Sequence, residues 1–352
     1  MKRVLHDGKE DGLDPLATLD LSKVNNFEEL LQHMSRTAFG GRNLGEALDV
    51  LEKMISDSDC KIVFTISGAM TIAKMGKIVC DMMDEKIIDM MISTGAIMAH
   101  GLTEGIGCLH YKYNPDMDDK QLYYWGYNRV YDTLEKEESL TEAEHIISDV
   151  LKDYDFNERT CSHSILKAVG KYLYEKNYMP SILGAAYKNE IPVYIPAFTD
   201  SEFGLNVATH LMAQNVKNKN ASIADVLHDV PVFDPFVDLY DYTQRICNAK
   251  RIGIITIGGG VPRNWGQQVG PFIDIINLRI GTNLTVPRFH YGVRICPEPV
   301  HWGGLSGCTY SEGISWGKFV PKDEGGRFAE VLCDATIAWP VLMKAIFEKI
   351  KR

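Results

Sequence analysis

Short apolar runs recur from residue 61 onward, and each ends in small residues that lead into a helical pattern. Near-continuous apolar runs of this length, separated by helices, are typical of parallel strands covered on both faces. The pattern predicts an α/β fold with a doubly wound, mainly parallel, Rossmann-like sheet. The six predicted strands are Lys61–Ile66, Ile88–Ser93, Ile191–Ile195, Ile252–Ile257, Gly292–Ile295 and Ala329–Cys333.

The N-terminal segment lacks this rhythm and predicts a helical extension of the α/β core. Residues 1–25 show little periodicity and are expected to form an extended arm. A helical pattern follows over Phe27–Met34, with Asn25 and Asn26 as possible caps. Glycines at 40, 41 and 45 then predict a break before a second helix, Glu46 to Ser56. Residues 1–60 are therefore interpreted as an arm with helices.

A long segment between the second and third predicted strands, about residues 97–185, reads as a largely helical insert. Within it, Thr141–Glu144 has the spacing of a capping box, which predicts the start of a helix running to about Lys152. No repeat and no composition shift typical of a linker interrupts the chain. The simplest interpretation is one domain over residues 1–352, with its α/β core in 61–352.

Charge and cysteine usage narrow the class of protein. The net charge is -10 at pH 7 and no basic run occurs, which argues against nucleic acid as a partner and suits cationic substrates such as polyamines. Eight scattered cysteines without a CxxC pair predict reduced thiols rather than a disulfide framework or zinc site. The sequence has no stretch long enough to span a membrane, so a cytoplasmic protein is expected.

Glycines and small polar residues follow most of the predicted strands. Gly258, Gly259 and Gly260 end the fourth strand, where a pyrophosphate could approach the backbone and a helix N-terminus would supply amide donors. A tight strand–helix junction explains such a turn equally well. Several strand ends of this kind together fit a dinucleotide site better, and the candidate cofactor-binding residues are Gly68, Ala69, Met70, Ser93, Thr94, Gly95, Asp200, Gly259, Asp334 and Ala335.

Lys318 is the strongest candidate for chemistry. It ends the run Glu312–Lys318, in which Trp316 and a glycine bring an amine close to an aromatic face. A lysine that loses hydration there titrates below its usual pKa and attacks a carbon electrophile. Taken alone, the run Ser315–Lys318 is better explained by an ordinary surface lysine that follows a strand.

Other catalytic motifs are missing from the sequence. His100, His290 and His301 form no HxxxH or HExxH pattern, so partly buried or surface histidines are expected and no metal site is predicted. There is likewise no GxSxG elbow and no P-loop. These absences remove the common hydrolase and NTPase interpretations.

Taken together, these motifs resemble the deoxyhypusine synthase family from about residue 25 to the C-terminus. The resemblance rests on Gly126–Arg129, Ile191–Val193 with Pro196–Asp200, Gly258–Val261, Glu312–Lys318 and Cys333–Ala335. It implies an NAD-dependent transferase, usually a homotetramer with active sites between subunits. A polyamine such as spermidine gives a hydride to NAD, its aminobutyl group passes to the active-site lysine as a Schiff base and then to an acceptor amine, and the hydride returns.

The resemblance also implies roles for individual residues. Lys318 matches the lysine that forms the Schiff base, Trp316 the aromatic residue against the aliphatic substrate, and Glu312 a carboxylate for a substrate ammonium. The strand-end residues Ser93, Thr94, Gly95, Asp200, Gly259, Asp334 and Ala335 fall on NAD-binding positions. The α/β core is therefore expected to be an NAD-binding core.

Departures from the family pattern are concentrated among substrate-binding positions. Protein-modifying members carry a histidine at Asn264 and an asparagine at Gln268. Where those members have an acidic pair, this chain has Met98 and Ala99, followed by His100, and three family aspartates are here Leu205, Trp302 and Leu305. Asn264 and His100 are candidates to replace the missing base. A site that binds a polyamine beside a protein lysine needs several carboxylates to pair the ammonium groups. This chain lacks several of them, so the substrate-binding half of the site is expected to differ from that of the protein-modifying members.

Three hypotheses follow from the sequence. The first is transfer of an aminoalkyl group through Lys318 to a small amine such as putrescine or agmatine. The second is true deoxyhypusine synthase, acting on a lysine of the hypusine-bearing translation factor. The third is a non-catalytic protein that binds NAD or a polyamine, against which the joint presence of Glu312, Trp316 and Lys318 argues.

Overall fold

The computed structural model describes residues 3–156, 159–178, 180–213, 216, 222–227 and 233–350. The strands are β1 Cys60–Ile66, β2 Met90–Ser93, β3 His110–Lys112, β4 Tyr127–Val130, β5 Thr133–Lys136, β6 Val193–Tyr194, β7 Arg251–Ile257, β8 Tyr291–Ile295 and β9 Arg327–Val331. The helices of the first half are α1 Phe27–Met34, α2 Phe39–Ser56, α3 Gly76–Asp84, α4 Gly95–Gly105, α5 Asp119–Tyr124, α6 Glu137–Lys152 and α7 Ser162–Glu175. Those of the second half are α8 Ile182–Lys188, α9 Glu202–Ala213, α10 Ile223–Val226, α11 Pro235–Cys247, α12 Gly260–Gln267, α13 Val269–Ile280, α14 Tyr310–Ser315 and α15 Ala335–Ile350.

The main sheet confirms the predicted α/β fold. All six predicted strands pair in parallel, in the spatial order β6-β2-β1-β7-β8-β9. Counted along the chain within this sheet, the order is 3-2-1-4-5-6, that of a Rossmann-like doubly wound sheet. The connections reverse direction between β1 and β7, and ligands of such sheets bind at the carboxyl ends of strands beside this point.

Buried side chains on both faces of the sheet explain why the strands read as continuous apolar runs. Every residue of β2 is buried, as are all residues of β7 after Arg251. One face packs in a large core cluster and the other in a smaller cluster around Tyr242 and Phe289. Alternating apolar and polar residues would indicate a sheet with one face in water. Continuous burial along these strands is instead typical of a parallel sheet covered on both faces.

The predicted N-terminal helices pack on the α/β core. Asn26 caps α1 by accepting a hydrogen bond from the Glu29 amide at 2.9 Å. The prediction of a glycine break before α2 is wrong, because α2 begins at Phe39 and contains the glycines. Gly45 serves packing instead: a Cβ there would lie 2.4 Å from the Leu31 carbonyl oxygen of α1.

The predicted insert is less helical than expected. Besides α4 to α8 it contains a small antiparallel sheet in the order β3-β5-β4. These strands have only three or four residues, and their burial does not alternate from one residue to the next, so they show no clear apolar period. The predicted capping box is also wrong, since α6 begins at Glu137 and Thr141 lies within its first turns, although its end at Lys152 is confirmed.

Two further sequence predictions can be compared with the fold. All eight cysteines are free thiols. Across the part of the chain that the structure describes, no helix combines the length and apolar character that a membrane span requires.

Candidate active site

The chain reverses direction at Trp316 and Gly317, and this turn directs Lys318 back toward α14. The Lys318 amide donates to the Gly313 carbonyl at 3.1 Å, and the Gly317 amide donates to that of Ile314 at 3.0 Å. These two bonds form a Schellman motif, which requires a left-handed residue just after the helix. Gly317 has φ 70°, so glycine is the residue that permits the turn. The backbone of the next residues is held by a bridge between Phe289 and Phe319.

Lys318 lines a pocket of about 290 Å³. The pocket contains three of the four candidates predicted around this lysine, all but His100. Its lining residues are Asn264, Gln268, Val300, Gly303, Gly304, Leu305, Cys308, Glu312, Trp316 and Lys318. The Lys318 Nζ donates to the Asn264 Oδ1 at 3.2 Å. Asn264 stands on α12, the helix that follows the three-glycine turn, so the lysine and the predicted nucleotide loop are linked by one helix.

The surroundings of Lys318 favour its neutral form. Lys318 is only 8% exposed, and this burial lowers the pKa of its ammonium below the usual value. The guanidinium of Arg263 lowers that pKa further, while Cys308 and Glu312 act in the opposite direction. A larger fraction of neutral amine is therefore available near neutral pH than for a surface lysine.

Arg263 is the residue that sequence reasoning missed. It is 2% exposed, and its Nε and Nη2 have no hydrogen-bond partner among the described residues. Its guanidinium lies over the Tyr310 ring, 5.5 Å from the centroid. An arginine three residues after the glycine turn looks like an ordinary surface residue in the sequence. Only the tertiary structure shows that it is a buried charge that acts on Lys318.

The predicted strand ends come together at the switch point of the sheet. The Gly259 amide donates to the Ser67 Oγ at 2.9 Å, which joins the ends of β7 and β1. A Cβ on Gly259 would lie 2.6 Å from the Cα of Ser306, so this position requires glycine. The loop after β2 is close to the loop after β6, because a Cβ on Gly95 would lie 2.0 Å from the Ser201 Oγ.

Features of this edge suit a nucleotide. Gly68 and Gly258 adopt φ 80° and 81° at the ends of β1 and β7, so both turns leave backbone accessible. The Thr94 Oγ1 is buried and has no hydrogen-bond partner among the described residues. A buried hydroxyl without a partner at the start of α4 is a group that a bound ligand would satisfy.

The remaining candidates occupy different surroundings. Asp200 and Asp334 are exposed at strand ends, and Asp334 accepts from the Thr336 amide and hydroxyl, both at 2.7 Å, as a cap of α15. Ala69 and Met70 follow Gly68 and are partly buried, whereas Ser93 and Ala335 are buried. His100 does not line the Lys318 pocket, and its ring contacts Glu135 instead.

The altered positions divide between the main core and the pocket. Met98 and Ala99, which replace an acidic pair, are buried in the main core. Gln268 and Leu305 line the pocket itself. Glu312 is the single carboxylate among the described lining residues, and its backbone is fixed where its amide donates to the Thr309 Oγ1 at 3.0 Å. The pocket thus offers one carboxylate for one ammonium.

Fold and site together define a Rossmann-like α/β protein with a buried lysine beside the helix that follows a glycine-rich turn. Comparison with known proteins gives the family. A family model described as deoxyhypusine synthase matches residues 29–346. The chain is 31% identical over 96% of its length to "Probable deoxyhypusine synthase 2" of Methanosarcina acetivorans, covering 90% of that protein. It is 33% identical over 94% of its length to "Probable deoxyhypusine synthase 1" of Archaeoglobus fulgidus, covering 97% of it.

Two further similarities agree with this assignment. The chain is 28% identical to the "Deoxyhypusine synthase-like protein" of Chlorobaculum tepidum, over 96% of this chain and 90% of that one. A crystal structure of a candidate deoxyhypusine synthase from Entamoeba histolytica superposes with a TM-score of 0.58 at 18% identity, over 96% and 98% of the two chains, which shows a shared fold. The chain belongs to the deoxyhypusine synthase family, whose members are aminobutyl-transferring enzymes that use NAD.

Proposed function

We propose that this enzyme transfers an aminobutyl-type group from a polyamine such as spermidine, through a Schiff base on Lys318, to a small acceptor amine of the putrescine or agmatine kind. The single observation that supports this acceptor is the pocket around Lys318, which keeps the amine nucleophile but has Glu312 as its one carboxylate. Protein-modifying members of the family carry acidic residues where this chain has Leu305 in the pocket and Trp302 beside it, so its substrate-binding half differs from theirs.

NAD is proposed as the cofactor because the strand-end edge fits it. The backbone around Gly259 and Gly68, the orphan hydroxyl of Thr94 and the carboxylates of Asp200 and Asp334 are the groups that would hold it. The other proposed contacts are Ala69, Met70, Ser93, Gly95 and Ala335. NAD, when bound, supplies the acceptance and return of a hydride.

Each pocket residue has a distinct role in this proposal. Neutral Lys318 attacks the imine carbon of the oxidised polyamine and displaces its leaving amine, so that the aminobutyl carbon becomes bonded to Nζ. The acceptor amine then attacks the same carbon and releases Lys318, which leaves an imine on the acceptor that the returned hydride would reduce. Glu312 pairs with the distal ammonium, Trp316 covers the methylene chain, and Asn264 orients the Nζ at 3.2 Å. Asn264 cannot take a proton, so it positions the lysine and does not act as a base.

A second copy of the chain is proposed to complete the site. Four apolar side chains of the pocket and its rim are at least half exposed: Val300 at 51%, Trp302 at 72%, Leu305 at 50% and Trp316 at 64%. A cluster of this size is unusual for a surface that faces only water. Closure by a partner subunit would exclude water from the Schiff base.

The acceptor is tested by incubating the enzyme with NAD, spermidine and single amines, followed by mass analysis of the products. We expect an aminobutylated small amine and no labelled translation factor. Label on a lysine of the hypusine-bearing factor would instead identify a true deoxyhypusine synthase. Failure of borohydride to trap any polyamine fragment on Lys318 would show a binding protein and contradict catalysis altogether.

Replacing Glu312 with glutamine is expected to raise the KM for the polyamine on the order of 10-fold to 100-fold, because a charge-assisted hydrogen bond to an ammonium is lost. The residue is exposed at the mouth of the pocket, so the melting temperature should stay unchanged. Initial rates at several polyamine concentrations measure the effect. Glu324→Gln, also exposed, is the matched control, and equal KM values for both variants would contradict the role of Glu312.

A further inference from the structure

Two histidines and a glutamate form a buried cluster where α4 meets the small antiparallel sheet. The His100 Nδ1 lies 2.7 Å from Glu135 Oε2, and the His110 Nε2 lies 3.0 Å from Glu135 Oε1. The side chains are 19% exposed for His100, 2% for His110 and 1% for Glu135. None of these residues lines the Lys318 pocket, so the cluster is separate from the proposed active site.

The backbone holds these groups in place. His110 and Glu135 are directly opposed partners of β3 and β5, so the register of the small sheet sets their separation. His100 comes from α4, which follows β2 of the main sheet. The Thr103 hydroxyl, one turn along α4 from His100, donates to Glu135 Oε1 at 2.6 Å and fixes the carboxylate. Three separate elements thus direct three possible ligand groups to one point.

We propose that His100, His110 and Glu135 bind a divalent transition-metal ion, with Zn²⁺ the best match, which joins α4 to the small sheet. The three ligand atoms all lie within 4.8 Å of one another. Tetrahedral ligands at zinc distances of about 2.0–2.2 Å are about 3.3 Å apart. The two histidine–glutamate contacts would therefore open slightly, and no separation within the 4.8 Å limit would have to close by more than about 1.5 Å. Two imidazoles and a carboxylate form a ligand set of Zn²⁺, and Thr103 supplies the hydrogen bond that orients the carboxylate.

The ammonium of Lys74 lies beside the cluster of His100, His110 and Glu135, and its positive charge would oppose the binding of a cation there. Its Nζ lies 2.6 Å from the His110 Nδ1 and 3.5 Å from the Glu104 Oε1. When His110 Nε2 binds the ion, the ring proton resides on Nδ1, so the ammonium must withdraw toward Glu104. The Lys74 side chain is 45% exposed, which makes this movement inexpensive. Lys74→Met removes the repulsion and is expected to tighten binding, roughly tenfold.

The experiment uses the full chain, stripped with a chelator and titrated with Co²⁺ while its visible absorption is recorded, and with Zn²⁺ by calorimetry. We expect one ion per chain, nitrogen- and oxygen-type Co²⁺ bands, and a loss of affinity of at least about tenfold in both His100→Gln and His110→Gln. Glutamine keeps a donor for Glu135, so these variants preserve the hydrogen bonds. His145→Gln, an exposed histidine on α6, is the control and should bind normally.

Three results would overturn the proposal. The first is no stoichiometric binding of either ion by the parent chain or by Lys74→Met. The second is binding that both histidine variants retain at full strength. The third is intense thiolate-to-Co²⁺ absorption, which would place the ion on one of the free cysteines. If His110→Gln does not fold, His100→Gln decides alone, because the His100 side chain is partly exposed and its loss is less disruptive.

Discussion

Replacing Lys318 with arginine is expected to lower aminobutyl transfer at least ~10³-fold, because the reaction requires an amine that can lose its proton and form an imine. Arginine keeps the positive charge and much of the length of the side chain, but its guanidinium stays protonated and forms no Schiff base. The contact with Asn264 can persist, so the fold and the NAD edge should remain intact. Mass analysis of products and borohydride trapping on the purified variant measure the effect.

Lys322→Arg is the matched control for this substitution. Lys322 is exposed four residues further along the chain and does not line the pocket, so its replacement should leave transfer unchanged. Retention of full activity by Lys318→Arg would rule out a covalent lysine intermediate. Equal loss of activity in both variants would point to a general effect on the protein and would equally contradict the proposed role.

The main sheet was predictable because strands buried on both faces consist of nearly continuous apolar residues. Strand β7 is apolar at nearly every position, and its neighbours show the same composition, so no period had to be recognised. Helix starts were harder, because a glycine can end a helix or permit close packing. Gly45 does the latter against α1, and the contact that decides between the two involves Leu31 in another helix.

The site was predictable where local sequence sets the geometry. The Schellman turn at Gly317 places Trp316 and Lys318 within one pocket, and the family resemblance added Glu312 and Asn264. The cluster of His100 with Glu135 was not predictable in the same way, because its members come from a helix and two short strands with no spacing rule between them. A search for local histidine motifs therefore missed it.

The influence of Arg263 on Lys318 was likewise not predictable from the sequence. Replacing Arg263 tests how the pocket sets the pKa of Lys318. Arg263→Met removes the buried positive charge that lowers the pKa of Lys318, so that pKa should rise toward the ordinary lysine value. The neutral fraction of the amine at neutral pH then falls, about tenfold for each unit of the rise. Transfer at neutral pH is expected to fall accordingly and to recover toward the parent rate as the pH is raised.

The pH profile of transfer and of borohydride trapping separates this effect from damage to the fold. Two nitrogens of Arg263 are buried without hydrogen-bond partners among the described residues, so methionine should leave the melting temperature equal or higher. Arg279→Met, which removes an exposed arginine at the end of α13, should leave the profile where it is. An unshifted profile in Arg263→Met would mean that burial alone sets the pKa of Lys318. A loss of rate that persists at alkaline pH would mean that Arg263 acts on the geometry of the pocket instead of on the proton.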